Sequence, residues 1–561
     1  MSNLYRSSNI FSLLKINGFD SPLKTTLFKL TLLLFILMAA GILRSHHLNI
    51  YDLTFDELGT DMYSFQSVNS VSRLSGRAPF EVIREQMKND PHSPLYYFTI
   101  YFFSQLGGGD MPLRLLSVIF SLGACLLFFF FSTLFLSFRG SVLATGFLAI
   151  HPLHIWYAQE ARMYAFVCFF ALLMAAAYML ALRTNKLQAW ILFLITGVLA
   201  LVASYFSVFL LIGTGLILLI PDNRRYWRKW AFSVIGMLAV LLLMKPIFLS
   251  QFSFVKHSFW IPQPSLTTLF LTQMIFNQGF SSTCPQYLIG LVIFSSLFAL
   301  GLLTLFSSDQ KKAFILVIFI AVPFFLAYYI SKYYVPIYIH RQLMIFSPFY
   351  YIGIAQGCDK ILSRRFGVLI VLTAATLLLG SLQNYYNGYM FSNPFRADLL
   401  GGVYPKKRYL PLFSSLKRSF REEDSLIAGD LQSYILLRAY LEKQGGHGSL
   451  SQDELFFVFA PQYVFQYDQR YMGIDTSIKA LPVQKLKNFY AYQLLGDRKV
   501  MMQPIQLHNN NLKRLWVVTS SWDMDRSLGM DAEELLIQLR QIYNPQFSSC
   551  EDGICVDLFT P

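Results

Sequence analysis

The sequence predicts an α-helical polytopic membrane protein that ends in a soluble α/β domain. Of its 561 residues, 55% are hydrophobic and only 14% are charged, whereas a soluble domain has about 25% charged residues. Apolar runs follow one another up to about residue 385, and beyond it the apolar residues occur in short runs between polar helical patterns. These observations predict a membrane domain over 25–385 and an α/β domain over 386–561.

Eleven apolar runs approach the roughly 20 residues that a helix needs to cross the bilayer. They are Leu27–Leu43, Leu115–Leu136, Gly140–Trp156, Met163–Leu182, Leu187–Ser204, Tyr205–Ile220, Trp230–Leu249, Tyr287–Phe306, Ala313–Ile330, Leu343–Gly357 and Phe366–Leu382. Leu95–Leu106 has only a dozen residues and follows Pro94. We expect an interfacial or re-entrant helix there and about eleven spans in total, although an extra pair of spans would leave the sidedness unchanged.

Basic residues predict the orientation of these spans. With about eleven spans, the short basic loops all fall on one side, which the positive-inside rule assigns to the cytoplasm. These loops contain Arg139, Arg183, Lys186, Arg224, Arg225, Arg228, Lys229, Lys311, Lys312, Lys360, Arg364 and Arg365. Residues 1–24 are then cytoplasmic, whereas loop 44–114, the stretch His151–Tyr164 and the C-terminal domain are external. The net charge of +14 therefore reflects topology, and binding to nucleic acid is not expected.

The C-terminal segment alternates between strand and helix patterns, which is typical of a small α/β domain. Strands are predicted at Ser425–Ala428, Leu455–Ala460, Leu515–Thr519 and Ile554–Phe559, and helices at Gln432–Gln444, at Val483–Leu495 and from Asp531 to about Tyr543. Cys550 and Cys555 lie close together near the C-terminus. They form a disulfide if this region faces an oxidising compartment and are otherwise two free thiols.

The first external loop carries an acidic pair, Asp56-Glu57, about a dozen residues after the first span. A carboxylate at the boundary between water and lipid can accept a proton from an attacking hydroxyl or bind a cation. Two solvated loop acids are the simpler interpretation of this pair alone. His92 lies between two prolines at the entry of the interfacial helix. It either meets a phosphate there or makes a structural hydrogen bond.

A polar stretch between two apolar runs gives the strongest functional signal. Glu160 and Arg162 lie at the mouth of a span, in Gln159-Glu160-Ala161-Arg162-Met163-Tyr164. Ionisable groups near bilayer depth are costly and indicate function. The alternative is a pair that anchors the helix among headgroups, whereas Arg162 can also grip a phosphate with its fork of N–H groups. Further external cations are Lys245, Lys256, His257, Lys332, His340 and Arg341, of which Lys245 falls inside an apolar run just before Pro246.

Motifs of other enzyme classes do not occur in the sequence. It has no P-loop, no dinucleotide-binding fingerprint and no metalloprotease helix motif. A nucleotide-driven pump is therefore not expected.

With these residues in place, the chain resembles the GT-C glycosyltransferases, specifically the bacterial family 39, protein O-mannosyltransferase-like and aminoarabinose transferase-like group. The resemblance covers about residues 25–385 and rests on Asp56-Glu57, His92–Tyr97, Gln159–Tyr164 and Arg341. Two positions depart from the group's pattern. Ser93 stands where the family usually has a second proline, and Glu160 stands where its members often carry an aspartate.

The resemblance implies a multi-pass glycosyltransferase of the bacterial inner membrane, surrounded by membrane lipids, with its catalytic face and C-terminal domain in the periplasm. Its donor would be a hexose or pentose linked to polyprenyl phosphate, and its acceptor a lipid, glycan or protein. A nucleotide is not required, and a divalent metal is left open. A lipid or polysaccharide transporter and an envelope assembly protein are the alternatives.

The resemblance also implies roles for individual residues. Asp56 would be the general base for the acceptor hydroxyl, and Glu57 and Glu160 would orient it or the donor. The cationic side chains among the substrate-binding residues would neutralise the leaving lipid phosphate. The residues expected to bind substrate are His92, Tyr96, Gln159, Arg162, Tyr164, Lys245 and Arg341.

Overall fold

The computed structural model describes most of the membrane part and separate pieces of the C-terminal part. The described residues are 22–88, 90, 92–258, 261, 263–390, 406–421, 424–429, 431–443, 455–459, 490–495, 499–501, 514–520, 536–537, 539–541, 543–551 and 553–561. Most of the predicted cytoplasmic N-terminus, 1–24, lies outside them, as does Pro91.

Nineteen helices form the part of the chain before residue 390 that the structure describes. They are α1 (Pro22–Ser45), α2 (Phe55–Asp61), α3 (Phe65–Ser75), α4 (Pro79–Met87), α5 (Pro94–Phe103), α6 (Asp110–Ser132), α7 (Phe138–Ile150), α8 (Pro152–Ala158), α9 (Tyr164–Thr184), α10 (Leu187–Ala203), α11 (Ser207–Ile217), α12 (Trp227–Leu243), α13 (Lys245–Ser258), α14 (Leu266–Gln278), α15 (Cys284–Ser308), α16 (Gln310–Tyr333), α17 (His340–Leu343), α18 (Ser347–Ile361) and α19 (Gly367–Tyr386).

Length and composition identify the helices that can cross a membrane. Seven candidate spans are found among the described residues, in α1, α6, α9, α12 with the turn before it, α15, α16 and α19, and α7, α10 and α11 are shorter apolar helices. The chain is thus a multi-pass α-helical membrane protein, as predicted. The predicted interfacial segment forms α5, whose 10 residues are too few to span the bilayer.

Prolines and tight turns divide three runs that were predicted to be continuous. The run Gly140–Trp156 breaks at His151, because Pro152 lacks an N–H and disfavours the helical conformation in the residue before it. The run Trp230–Leu249 divides into α12 and α13 just before Pro246. The run Leu343–Gly357 contains the end of α17, a 3₁₀ turn and most of α18. The first of these breaks leaves His151–Met163 as a buried polar turn and short helix before α9.

The described pieces of the C-terminal part form one sheet with helices, which confirms the predicted α/β class. The elements are α20 (Leu410–Ser419), β1 (Asp424–Ala428), α21 (Leu431–Lys443), β2 (Leu455–Phe459), β3 (Tyr490–Leu495), β4 (Lys499–Met501), β5 (Arg514–Ser520), β6 (Asn544–Glu551) and β7 (Ile554–Thr560). The sheet order is β4-β3-β2-β1-β5-β7-β6, with β1 parallel to β2 and β5 and the other neighbours antiparallel. Apolar side chains of α20 and α21 pack with those of β1 and β5.

Four strands and one helix of this part lie where the sequence predicted them. The predicted helix Val483–Leu495 is wrong for its described residues, because 490–495 form β3 and pair antiparallel with β2. Pairing with a neighbouring strand overrides local helix propensity here. β4 and β6 were not predicted, and of the predicted helix from Asp531 only 536–537 and 539–541 are described as helical. Cys550 and Cys555 form a disulfide across the β6–β7 pair, which decides between the two alternatives.

Candidate active site

The two acids of the first loop lie in the first turn of α2, where a reciprocal cap holds them. Thr54 Oγ1 accepts a hydrogen bond from Glu57 N at 3.4 Å, and Thr54 N donates to Glu57 Oε2 at 2.9 Å. This capping box fixes the start of the helix. Because Asp56 and Glu57 are consecutive, their side chains leave the helix about 100° apart and meet different partners.

Glu57 is fully buried and is bound by two elements besides its own. Arg114 of α6 donates to both carboxylate oxygens, from Nε at 2.7 Å and from Nη2 at 2.8 Å. Ala161 N donates to Oε1 at 2.8 Å. Burial raises the pKa of Glu57, but the charge and hydrogen bonds of Arg114 outweigh burial and hold that pKa at about 2. Glu57 is therefore a permanent carboxylate that joins α2 to α6 and to the turn before α9.

Asp56 forms a second ion pair with a distant part of the chain. Arg341 Nη1 donates to Asp56 Oδ2 at 2.7 Å, although the two residues are 285 positions apart. The Asp56 side chain keeps 14% of its exposure, unlike that of Glu57. The guanidinium of Arg341 also lies 5.9 Å from the centre of the Tyr164 ring. This pair brings the first loop to the segment that precedes α18.

Arg162 is buried between the acid helix and the loop that carries His92. Its Nη1 donates to Asp56 O at 3.1 Å and to Thr60 Oγ1 at 3.3 Å, and its Nη2 lies 3.3 Å from His92 Nε2. A guanidinium has no acceptor, so Nε2 of His92 accepts and the ring proton is on Nδ1. That proton points to Asp90 Oδ1, 2.6 Å away. His92 is thus neutral in this arrangement, and burial lowers its pKa although Asp90 raises it.

Glu160 differs from the other two acids because its carboxyl group has no ionic partner at hydrogen-bonding distance among the described residues. It is 3% exposed, and its Oε2 makes no hydrogen bond there. Burial raises its pKa to about 8, with further upward contributions from the charges of Glu57 and Asp56. The hydroxyls of Tyr157 and Tyr164, whose rings are 4.6 Å apart, are also buried without a partner in the described part of the chain. Buried polar groups of this kind commonly face a ligand or water.

The remaining predicted site residues lie in three different environments. Gln159 uses its amide within the protein: Nε2 donates to the carbonyls of Leu43, Arg44 and His46 at the end of α1, and Oε1 accepts from Tyr385. This makes Gln159 an anchor of the turn rather than a group that faces a ligand. Tyr96 is buried in α5 with its ring 5.6 Å from that of Phe166. Lys245 is exposed at the first residue of α13, so the buried cluster forms without it.

Three charged residues of the cluster were missed in the sequence. Arg114 binds Glu57 and also donates to the carbonyls of Leu48, Tyr51 and Asp52. The sequence feature that could have identified Arg114 is its position at the external end of a predicted span, where the positive-inside rule does not expect an arginine. Asp90 stands two residues before His92, a spacing that a search for histidine partners could have found. Lys406 carried no local signal, because it follows the last span in a polar segment.

Two carboxylates of this cluster, Glu57 and Asp56, pair with arginines, and Asp90 pairs with His92. Among the described residues, no three His, Cys, Asp or Glu side chains converge so that they could hold a metal ion. Glu57 has both oxygens engaged by Arg114. The divalent metal that the sequence left open therefore has no ligand set in this cluster.

Comparison with solved structures identifies the fold. The chain matches the crystal structure of ArnT from Cupriavidus metallidurans in the apo state with a TM-score of 0.52 and 11% sequence identity, over 94% of this chain and 97% of ArnT. ArnT bound to undecaprenyl phosphate gives a TM-score of 0.52 at 10% identity over the same shares. The chain has the GT-C fold of ArnT. The fold expected from the resemblance is thereby confirmed.

A second likeness is more distant. The archaeal oligosaccharyltransferase AglB from Archaeoglobus fulgidus, in complex with an inhibitory peptide and a dolichol-phosphate, gives a TM-score of 0.45 at 11% identity, over 94% of this chain and 74% of AglB. No protein-family model matches the chain, and no curated protein is similar to it in sequence.

Proposed function

We propose that the protein is a membrane glycosyltransferase that moves a sugar from a polyprenyl phosphate to an acceptor hydroxyl or phosphate at the external face of the membrane. One observation carries this proposal: four segments of the chain bring Asp56, His92, Glu160, Arg162 and Arg341 into one largely buried cluster beside the ends of membrane helices. A transferase of this class needs fixed cations for a phosphate and a carboxylate for a hydroxyl.

Arg162 and Arg341 are the groups best suited to hold the donor phosphate. Both present planar guanidinium groups in a site with little water, where charge-assisted hydrogen bonds to phosphate are strong. His92 points Nε2 at Arg162 and can take up a proton when an anion offsets the repulsion between the two cations. The shared fold with ArnT, which has been crystallised with undecaprenyl phosphate, supports a lipid phosphate as the donor's carrier.

The Asp56–Arg341 pair suggests how donor binding prepares the base. While Arg341 holds Asp56 Oδ2 at 2.7 Å, the carboxylate is occupied. A donor phosphate competes for the same guanidinium and frees Asp56 to take the proton of the acceptor hydroxyl. The acceptor oxygen then forms a bond to the anomeric carbon, the bond from that carbon to the phosphate oxygen breaks, and polyprenyl phosphate leaves with its electron pair. Arg162 and Arg341 stabilise the charge on the departing phosphate.

Glu160 is assigned a different task from Asp56. With a pKa raised to about 8 by burial, its carboxyl group carries a proton at neutral pH. It can then donate a hydrogen bond to an oxygen of the sugar or of the bridging phosphate. Tyr157 and Tyr164 supply further hydroxyls beside it. The sugar, hexose or pentose, would lie against this group of side chains.

Transfer by the purified protein tests the proposal. The protein in lipid nanodiscs is given a labelled polyprenyl-phosphate sugar and, in turn, a lipid, a glycan and a peptide acceptor, and products are read by mass spectrometry. Asp56→Asn keeps the shape of the side chain and removes proton acceptance, so we expect transfer to fall about 10²–10⁴-fold while donor binding survives. Asp222→Asn, at an exposed loop acid, is the matched control. Near-normal transfer by a folded Asp56→Asn protein would reassign the base to Glu160.

The same experiment separates the alternative functions. A transporter or an envelope assembly protein would leave every donor and acceptor unchanged. Transport would instead appear as movement of the labelled lipid between the leaflets of a proteoliposome. Only a transferase would release polyprenyl phosphate in a reaction that requires an acceptor.

A further inference from the structure

A lysine from the segment before the C-terminal domain enters the acid cluster. Lys406 lies in the stretch 406–409, between the undescribed residues 391–405 and α20. Its Nζ lies 2.8 Å from Tyr385 Oη, 3.2 Å from Gln159 O and 3.5 Å from Trp156 O. It also lies over the rings of Trp156 and Tyr385, at 5.6 and 5.4 Å. The ammonium group therefore holds the end of α8 and the turn that begins with Gln159 and Glu160.

The same segment is fastened to the other acid-bearing stretch. Asp52 Oδ2 accepts hydrogen bonds from the N–H groups of Tyr409 and Leu410, at 2.6 and 2.8 Å. Asp52 N donates to Lys407 O at 2.9 Å, and Tyr409 Oη donates to Leu53 O at 2.7 Å. Asp52 and Leu53 directly precede the N-cap of α2. Residues 406–410 thus form a clip that contacts two segments: the residues just before α2, which carries Asp56, and the turn that carries Glu160.

Unlike Arg114 and Arg341, Lys406 forms no ion pair with an acid among the described residues. Arg114 is bound to Glu57, and Arg341 is bound to Asp56. Arg162 is hydrogen-bonded to Asp56 O, Thr60 and His92. The charges of Glu57 and Glu160 favour the protonated form of Lys406, while burial and Arg114 disfavour it. Other titratable or charged groups facing Glu160 are Asp56, Arg162, Tyr96, Tyr157, Tyr164 and Tyr385.

We propose that Lys406 is a positioning residue that sets the pH at which Glu160 ionises, so that the clip 406–410 completes the active site. The role of Glu160 in transfer rests on the proposed function, whereas the coupling between Lys406 and Glu160 does not. Burial lowers the pKa of Lys406 and raises that of Glu160, while the opposite charges of the two groups favour the charged form of each.

This arrangement gives opposite expectations for two substitutions. Lys406→Met removes the charge and keeps most of the stem, so ionisation of Glu160 becomes harder and its midpoint moves up. Lys406→Arg places a permanent charge at the same position, so the midpoint of Glu160 moves down. A purely structural role for Lys406 would move both midpoints in the same direction or leave both unchanged. The control is Lys360→Met, at an exposed lysine near the end of α18.

Isotope-edited infrared titration of the full-length protein in nanodiscs measures this directly. The carboxyl band that disappears in Glu160→Gln identifies Glu160, and its midpoint is compared in the four proteins. The proposal is supported if the Glu160 midpoint is highest in Lys406→Met, intermediate in the unaltered protein and lowest in Lys406→Arg. The midpoint in Lys360→Met should equal that of the unaltered protein. Equal midpoints, or a shift of both Lys406 variants in one direction, overturn it. This titration needs no turnover, so a protein that shows the expected order but transfers no sugar would refute the transferase and not the clip.

Discussion

Replacing Glu57 by glutamine should destabilise the protein more than any other single removal of an acid in the cluster. Glutamine keeps the shape of the side chain but leaves the Arg114 guanidinium buried without its counter-ion. Arg114 and Glu57 are only 1% and 0% exposed, so water cannot replace the lost partner. Breaking a buried pair by removing one partner costs about 3–5 kcal/mol.

The pKa of Glu57 gives an independent magnitude. The shift from 4.5 to about 2 corresponds to roughly 2.5 × 1.36, or about 3 kcal/mol, of preference for the charged form. A carboxyl group whose folded pKa is lowered stabilises the fold above its unfolded pKa, and that stabilisation is lost as the pH falls through the folded value. The difference in stability between the unaltered protein and Glu57→Gln should therefore be full at pH 7 and shrink between about pH 4.5 and pH 2.

Steric trapping in lipid bicelles measures the free energy of unfolding of the two proteins. The control is Glu85→Gln, because Glu85 pairs with Lys88 at 2.7 Å with both side chains about half exposed. Exposed pairs of this kind contribute about 0–1 kcal/mol. A Glu57→Gln protein as stable as the Glu85→Gln control would contradict the buried-pair argument, and with it the assignment of Glu57 to architecture.

Further outcomes follow from the topology and from the two arginines. A reporter fused within Asp222–Lys229 should be cytoplasmic and one fused after Gln383 external, and a cytoplasmic reporter after Gln383 would separate the C-terminal part from the acidic loop. Arg162→Lys and Arg341→Lys keep the charge but lose the planar fork, so each should weaken binding of a non-hydrolysable polyprenyl-phosphate analogue about tenfold or more. Unchanged binding in both would make these arginines interface anchors. His92→Gln should weaken the same binding mainly below pH 6.5, because burial lowers the pKa of His92 from that value and only a protonated His92 can pair with the phosphate.

The sequence predicted the membrane architecture because long apolar runs have one stable outcome in a bilayer. It could not predict where such a run would be interrupted inside the protein. The helix is interrupted at His151, although the residues on both sides are apolar. This interruption places Glu160 and Arg162 in a buried turn. In the C-terminal part, strand β3 depends on β2 as a partner, so its own residues could not distinguish strand from helix.

The sequence could identify residues of the site but not which acid pairs with which arginine. Asp56, Arg162 and Arg341 were identifiable because charge beside apolar sequence is costly. Which acid meets which arginine depends on contacts between distant segments, such as the 285 positions that separate Asp56 from Arg341. Lys406 shows the same limit, since a lysine after the last span is ordinary in sequence and becomes unusual only beside Glu57 and Glu160.

Under the proposed function, the pairing would give three carboxyl groups of one site three different tasks. Arg114 holds both oxygens of Glu57 and keeps it charged, so Glu57 binds the segments together and is unavailable as a base. Asp56 is held by one oxygen, keeps some exposure and can be released when a phosphate takes Arg341, which suits a proton acceptor. Glu160 has no cation at hydrogen-bonding distance among the described residues, so burial keeps it protonated near neutral pH and suits it to donate a hydrogen bond. Environments that separate the pKa values of neighbouring acids are how a single site divides acid and base roles. Here the environments differ because Glu57 and Asp56 each meet a different arginine and Glu160 meets none at hydrogen-bonding distance among the described residues.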